Sequence, residues 1–318
     1  MSPPSTLNPK APVHEPSTLN AVDTPQTPRH SNPTRQVYTV GHGAGGRLGL
    51  NDEEPRSSFV GPLGTLEGVV VQQLACGAKH TLVLSRKGRV YSWGYNQYGQ
   101  TGHGPHGLSD WEPKVIKGID KVKVVEVCAG ENHSMALTDT GDVYSWGHGL
   151  FGQLGQGDVR DLAYPFMIKS LQGKGIMSVG CGHNHSFAVN GAGRLYAFGS
   201  SSCGQLGNGE VDGGMGGNVY LPALIKNLAA YKVIVARGGK NFSIFMTDKG
   251  DLLSVGYACN GQLGIAYELV EELDQAYTSV IQKVEHRGIS MAAVSCGDAH
   301  VVAVSDQVCK YIHVYVDS

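Results

Sequence analysis

The sequence predicts an all-β protein, a β-propeller of about five blades, in which each blade is a small antiparallel sheet. Two sequence motifs that recur with one shared period predict this fold, and the glycine content supports it. The chain has 318 residues, and its 45 glycines are about twice the usual fraction. They lack the triplet spacing of collagen, so we expect them in tight turns that recur in every repeat.

The first motif is a strand end of the form aromatic-x-aromatic-Gly, followed by a glycine-flanked turn. Tyr91–Gly94 with Tyr98–Gly102 is a complete copy. The last glycine of the strand end recurs at intervals of 53, 53, 52 and 57 residues, as Gly41, Gly94, Gly147, Gly199 and Gly256. A fixed period over most of the chain indicates a repeat architecture.

The second motif, Gly-x-x-His followed by an apolar strand, keeps the same period. Its copies begin at Gly77, Gly130, Gly182, Gly239 and Gly297, and the fourth copy has Phe242 in the histidine position. After the first copy, Thr81–Ser85 and Arg89–Trp93 are separated by a three-residue loop ending in Gly88, which predicts a β-hairpin. Such a small sheet cannot bury both faces alone, and radial stacking of several sheets solves this problem.

Together, Cys-Gly-x-x-His-Ser/Thr, Gly-x-Val/Leu-Tyr/Phe-x-Trp/Phe-Gly and Gly-Gln-Leu-Gly resemble the regulator of chromosome condensation repeat, over residues 36–318. The resemblance implies a β-propeller, for which seven blades are usual. The 283 residues of this region hold five repeats and not seven. Either the ring closes with five blades, the strand Gln36–Val40 pairing near the last repeat, or the blades form an open arc with exposed sheet edges. Closure is the preferred interpretation.

Composition predicts the domain organisation and the compartment. Residues 1–35 are rich in Pro, Ser and Thr and are expected to be a disordered tail, whereas residues 36–318 form a single propeller domain. The seven cysteines include no Cys-x-x-Cys pair, and Cys76, Cys128, Cys181 and Cys296 share one repeat position, which predicts buried structural thiols. Reduced thiols favour a cytoplasmic or nuclear location. We expect no membrane span, because no apolar run approaches about 20 residues.

The recurrent histidines are the first candidates for chemistry. They are His80, His133, His185 and His300. Because one residue type recurs at one position in each repeat, and Phe242 replaces it once, we expect a structural role for these side chains. The Gly-Gln-Leu-Gly segments lack the Lys-Ser/Thr pair of a phosphate-binding loop. The sequence therefore predicts no catalytic residue, no metal site and no cofactor.

The function predicted from these features is a scaffold that binds a protein partner, of unknown identity, through its loop faces. Loops on a rigid scaffold often carry binding residues. Three segments interrupt the period, and their candidate contact residues are His106, Trp111, Asp212, Met215, Glu271 and Glu272. The formal net charge of −2 argues against a nucleosome or DNA as the main partner.

The resemblance also implies an alternative, a guanine-nucleotide exchange factor for a Ran-like small GTPase, associated with chromatin. Exchange factors of this family carry acidic residues within or beside the Gly-x-x-His turns. Here Glu131 and Asp298 are acidic, whereas Lys79 and Lys240 reverse the charge. Another branch, the plant ultraviolet-B photoreceptor, depends on clustered tryptophans. This chain has only three, so the sequence does not predict that function.

Overall fold

The regular structure consists of short antiparallel strands joined by turns. The computed structural model describes residues 36–61, 63–105, 107–209, 217–265, 276–285 and 288–306, and the backbone of 311–313. These ranges belong to one compact unit, Thr34–Ser318. They contain no α-helix, and their short 3-10 turns are Ala44–Gly46, Gly64–Leu66, Lys117–Ile119, Lys169–Leu171 and Lys226–Leu228.

The strands form one half-sheet and five blades. The half-sheet contains β1 (Thr39–Gly41) and β2 (Arg56–Val60). Blade 1 contains β3 (Val71–Cys76), β4 (His80–Ser85), β5 (Val90–Tyr95) and β6 (Ser109–Val115). Blade 2 contains β7 (Val124–Ala129), β8 (His133–Thr138), β9 (Val143–Gly147) and β10 (Leu162–Met167).

The remaining blades repeat this plan. Blade 3 contains β11 (Ile176–Cys181), β12 (His185–Asn190), β13 (Leu195–Gly199) and β14 (Val219–Leu224). Blade 4 contains β15 (Val233–Gly238), β16 (Phe242–Thr247), β17 (Leu252–Tyr257) and β18 (Tyr277–Lys283). Blade 5 contains β19 (Met291–Cys296), β20 (Val301–Ser305) and β21 (Tyr311–His313). Sequential strands pair in every blade, so the all-β prediction of about five blades is confirmed.

The hydrophobic core lies between consecutive blades. In blade 1, Leu82 and Leu84 alternate along β4 and point to one face, where they pack with Val127 and Trp146 of blade 2. All four side chains are essentially inaccessible to solvent. Full burial of one such side chain contributes on the order of 1.5 to 3 kcal/mol. Each junction therefore stabilises both of the blades that form it.

The glycine-flanked turns fix how one blade meets the next. Gly102 has a φ of +80°, and a Cβ there would lie 2.9 Å from Nε1 of Trp146 in blade 2. The same indole nitrogen donates to the carbonyl oxygen of Gln100, at 2.9 Å. The motif thus needs glycine both for its backbone conformation and for the close approach of the tryptophan.

The preferred closure through Gln36–Val40 is not seen among the described strands. β1 pairs with β2, and the outer neighbour of β20 is β21. The half-sheet and blade 5 are therefore separate sheets, each with its own strand order. In the described part of the chain, no helix is long and apolar enough to cross a membrane.

Candidate functional site

The Gly-x-x-His turns of the five blades converge at one end of the inner strands. Backbone hydrogen bonds link them in order. Ala78 N–H donates to the Glu131 carbonyl at 3.2 Å, Glu131 N–H to His183 at 3.1 Å, His183 N–H to Gly239 at 3.0 Å, and Lys240 N–H to Asp298 at 3.0 Å. Each turn of blades 1 to 4 is thus hydrogen-bonded to the turn of the next blade, and the five turns together form one linked face.

A cavity of about 260 Å³ lies at the centre of this turn face. Glu131 and Asp298, the two acidic residues within these turns, both line it. The Glu131 carboxylate lies 3.0 Å from Nδ1 of His183, on the turn of the next blade. Asp298 is exposed, and its carbonyl oxygen accepts the bond from Lys240. The fold therefore brings two acids from distant repeats to one polar opening.

Three of the recurrent histidines hydrogen-bond a serine of the next blade. His80 Nε2 lies 2.9 Å from Oγ of Ser134, and that hydroxyl donates to the carbonyl oxygen of Gln100 at 2.8 Å. Because the serine proton is already used, His80 donates through Nε2–H. His133 with Ser186, and His185 with Ser243, repeat this contact.

Burial keeps these histidines neutral. It lowers the pKa of His80 to about 4 and that of His185 to about 3. The pKa of His133 is also well below 6.5, chiefly because of burial and further because of neighbouring histidines. A neutral imidazole can donate through Nε2 without the desolvation cost of a buried charge. His300, by contrast, is exposed at the end of blade 5.

The junction between blades 4 and 5 replaces both members of the histidine–serine pair. Phe242 stands in the histidine position, and Val301 stands in the serine position of the next blade. Both are buried in one hydrophobic cluster. Both positions of this junction are therefore apolar. Neither side chain leaves a buried polar group without a hydrogen-bond partner.

A polar bridge across the inner strands was missed from the sequence. The Glu126 carboxylate accepts from the backbone N–H of Val179 at 3.0 Å and from Arg237 at 3.4 Å. Arg237 also donates to the carbonyl oxygen of Val179. At the position of Glu126 in blade 1, Gln73 binds both backbone groups of Val127. Gln73 and Glu126 are polar residues at one repeat position inside apolar strands, and this pattern could have indicated the contact in the sequence.

Trp111 lies within β6, and not in a loop as predicted. Its position in the fourth strand of blade 1 follows from the pairing of β5 with β6. Trp111 lines a cavity of about 810 Å³ together with His103 and Tyr164. The backbone of Trp111 also accepts a hydrogen bond from Asn51 N–H, close to the half-sheet.

The other five predicted contact residues lie outside the described residues. They are His106, Asp212, Met215, Glu271 and Glu272. Their role in partner binding stays a prediction, as does the disordered tail, residues 1–35.

The four cysteines at the repeat position are not uniformly buried. Cys181 is buried and contacts Cys128, whereas Cys76 is exposed. Cys76 belongs to the first complete blade, and among the described residues no complete blade precedes its inner strand. Burial raises the pKa of Cys296 to about 12, so this thiol is protonated at neutral pH.

Stacked antiparallel sheets, a linked turn face and inter-blade histidines define the class of this protein, a repeat β-propeller. The model of the RCC1-like domain family matches residues 31–314. The chain belongs to this family.

Two relatives illustrate its similarity to other repeat proteins. The ultraviolet-B receptor UVR8 of Arabidopsis thaliana is 32% identical over 88% of this chain and 61% of UVR8. The human E3 ubiquitin-protein ligase HERC2 is 34% identical over 72% of this chain and 5% of HERC2. The chain thus spans less than two thirds of either relative.

Solved structures of yeast RCC1 (Prp20) share the fold. The structure bound to Kap60 has a TM-score of 0.73 and 22% identity, and covers 93% of this chain and 70% of Prp20. A second structure, described with its binding to Gsp1p and histones, has a TM-score of 0.60 and 20% identity, and covers 85% of this chain and 78% of Prp20.

Proposed function

We propose that this chain is a non-enzymatic scaffold that binds a protein partner on the face formed by the Gly-x-x-His turns. The observation that carries the proposal is the chain of turn-to-turn backbone hydrogen bonds, which links five turns of which four carry a charged residue, namely Lys79, Glu131, Lys240 and Asp298. A rigid surface needs little ordering when a partner binds, and this favours affinity.

The central cavity supports a protein partner more than a small ligand. Its volume of about 260 Å³ is at or below the lower end of typical small-molecule sites, which is about 300 Å³. Acidic Glu131 and Asp298 line it, and basic Lys240 directly follows the lining residue Gly239 in the chain. A mixed-charge rim of this kind gives specificity and orientation to a protein partner.

Affinity purification from native cells with matched charge reversals tests this proposal. The test variant carries Glu131→Arg and Asp298→Arg, and the control carries Glu67→Arg and Asp120→Arg, two exposed acids away from the turn face. We expect the test variant to lose partners that the wild type and the control both retain. Identical partner sets for all three proteins would contradict the proposal.

The second candidate is a guanine-nucleotide exchange factor for a Ran-like GTPase. Its support is the presence of Glu131 and Asp298 at one cavity, together with the binding of Gsp1p by Prp20. Release of a fluorescent GDP analogue from a panel of small GTPases separates the two functions. A pure scaffold accelerates release from none of them. Acceleration that the Glu131→Arg and Asp298→Arg variant abolishes would favour the exchange factor.

Chromatin association makes a separate prediction. If nucleosomes are bound through phosphates, their retention must fall steeply as salt is raised. The net charge of −2 gives no support to such binding. We therefore expect weak retention on nucleosomes, and tight retention that is insensitive to salt would contradict a phosphate-based mode.

A further inference from the structure

Two cysteines meet at the junction between blades 2 and 3. Sγ of Cys128 on β7 lies 2.8 Å from Sγ of Cys181 on β11, so the two thiols are hydrogen-bonded. A disulfide has a sulfur–sulfur distance of about 2.05 Å, so forming one here needs a movement of about 0.8 Å. This junction lies inside the blade series, and both strands belong to complete four-stranded blades.

An offset of one residue brings the two thiols together. Cys181 directly precedes its turn glycine, Gly182. Cys128 lies two residues before its turn glycine, Gly130, so the prediction of one shared repeat position is wrong for Cys128. Because successive side chains of a strand point to opposite faces, Cys128 points to blade 3 and Cys181 points back to blade 2. Both pack in one hydrophobic cluster between these blades.

The other junctions between complete inner strands do not hold two thiols at these positions. Alanine or glycine fills both positions at two of them, and an arginine precedes a cysteine at the third. The pairs are Ala75 with Ala129, Gly180 with Gly238, and Arg237 with Cys296. The sequence therefore places two thiols opposite each other at the junction of blades 2 and 3, whereas the same fold accepts alanine at both positions one junction earlier.

The cavity at the centre of the turn face gives access to one of the two thiols. Cys181 lines this cavity, whose volume is about 260 Å³. One water molecule occupies about 30 Å³ in the liquid, so the cavity has room for hydrogen peroxide, which is only slightly larger than water. Cys181 is therefore the thiol that a small oxidant reaches from the turn face.

The surroundings of Cys128 suit it to a second reaction step. Burial, and then the contact with Cys181, raise the pKa of the Cys128 thiol well above its usual value. Glu126 acts in the same direction, and Arg237 opposes it. Cys128 is thus protonated at neutral pH, and a protonated thiol is a poor nucleophile. It can instead supply a proton to a leaving group when it attacks an oxidised neighbour.

We propose that Cys128 and Cys181 form an oxidation site, at which hydrogen peroxide converts the two thiols to a disulfide that links blade 2 to blade 3. The Cys181 thiolate attacks one peroxide oxygen, so a sulfur–oxygen bond forms and the oxygen–oxygen bond breaks. The hydroxide that leaves takes up the proton that Cys181 released. The Cys128 sulfur then attacks the sulfenic acid sulfur, the sulfur–oxygen bond breaks, and the departing hydroxide takes the Cys128 proton. Two thiols are oxidised, and one peroxide is reduced to two water molecules.

Peptide mapping without reductant tests the proposal. The folded chain is treated with hydrogen peroxide, its remaining thiols are blocked with iodoacetamide, and it is digested with trypsin. Cys128 then lies in peptide 124–160 and Cys181 in peptide 175–194, since Lys or Arg bounds each peptide. We expect mass spectrometry to find the two peptides joined, and reductant to separate them. If they stay unjoined while exposed Cys259 is oxidised, the proposal is wrong.

Two alanine variants test the order of the steps. Cys128→Ala and Cys181→Ala each introduce the residue that the junction of blades 1 and 2 carries at that position. In Cys128→Ala the sulfenic acid at Cys181 lacks its reaction partner, so dimedone should trap it in peptide 175–194. In Cys181→Ala we expect much less trapping at Cys128. Equal trapping in the two variants would overturn the assigned roles. The mapping of the wild type needs neither variant, so it tests the disulfide even if one fails to fold.

Cys296 is a control within the same molecule. It lines the same cavity at the repeat position of Cys181, with Arg237 where the second thiol would be needed. We expect Cys296 to be joined to no other cysteine in the folded protein. In urea, oxidation should join cysteines in several combinations, because the fold no longer selects the pair. A link between Cys128 and Cys181 that is no more frequent in the folded than in the unfolded protein would overturn the proposal.

Discussion

We expect acid to destabilise this protein through its inter-blade histidines. In the folded chain, burial holds the pKa of His80 at about 4 and that of His185 at about 3, against 6.5 when unfolded. The unfolded chain therefore binds more protons below pH 6.5, and the folded state loses stability as pH falls from 6.5 towards these values. Above pH 6.5 these histidines are neutral in both the folded and the unfolded chain, so this loss of stability is absent.

The magnitude follows from the distance between the pH and the unfolded pKa. At about pH 5, each histidine whose folded pKa lies below that pH lowers the free energy of unfolding by about 2 kcal/mol, at about 1.36 kcal/mol per pH unit. The two histidines with folded pKa values of about 4 and 3, His80 and His185, together give a loss of about 4 kcal/mol, and the lowered pKa of His133 acts in the same direction. This loss is comparable with the lower end of the whole stability of a typical domain, about 5 to 15 kcal/mol.

Urea unfolding at several pH values, followed by the fluorescence of buried Trp93 and Trp146, measures this loss. The control variant is His185→Phe with Ser243→Val, which copies the natural Phe242 and Val301 pair. It should lose about 2 kcal/mol less than the wild type between about pH 7.5 and pH 5. The Gln205 carbonyl, which loses the Ser243 hydroxyl, costs about 1 to 3 kcal/mol at both pH values, so this cost cancels. Equal pH dependence of the two proteins would refute the reasoning.

Three further predictions concern single residues. Gly102→Ala should lower the free energy of unfolding by about 1 to 3 kcal/mol, because its φ is +80° and Trp146 is close. Gly64→Ala, with nothing within 4 Å of its added Cβ, should change it by less than about 0.5 kcal/mol in the same urea titration. Glu126→Ala should cost about 1 to 3 kcal/mol by unpairing Val179 N–H, and exposed Glu67→Ala should cost little. In native protein, iodoacetamide should modify exposed Cys259 well before Cys296, whose pKa is about 12, as mass spectrometry can show. Equal rates at the two thiols would contradict that burial.

The repeats and their strands were determined by the sequence. The period of Gly41, Gly94 and the later glycines predicted the five blades, because the backbone has a positive φ at each of these strand ends, which favours glycine. From Gly94 onwards, a backbone oxygen also lies too close for a Cβ. The short loop ending in Gly88 predicted a hairpin of Thr81–Ser85 and Arg89–Trp93, and the observed strands are His80–Ser85 and Val90–Tyr95. Such features depend on neighbours along the chain.

Tertiary structure decided which repeat positions meet. The contact of His80 with Ser134 joins residues 54 positions apart, and the Glu126–Arg237 bridge joins residues 111 apart. Neither pairing is visible in a local pattern, because it depends on the angle at which one blade follows another. The arrangement of the blades also explains why Leu74 and Val302 are exposed. Their sequence positions are those of buried core residues, and their exposure follows from the absence of a neighbouring blade among the described residues.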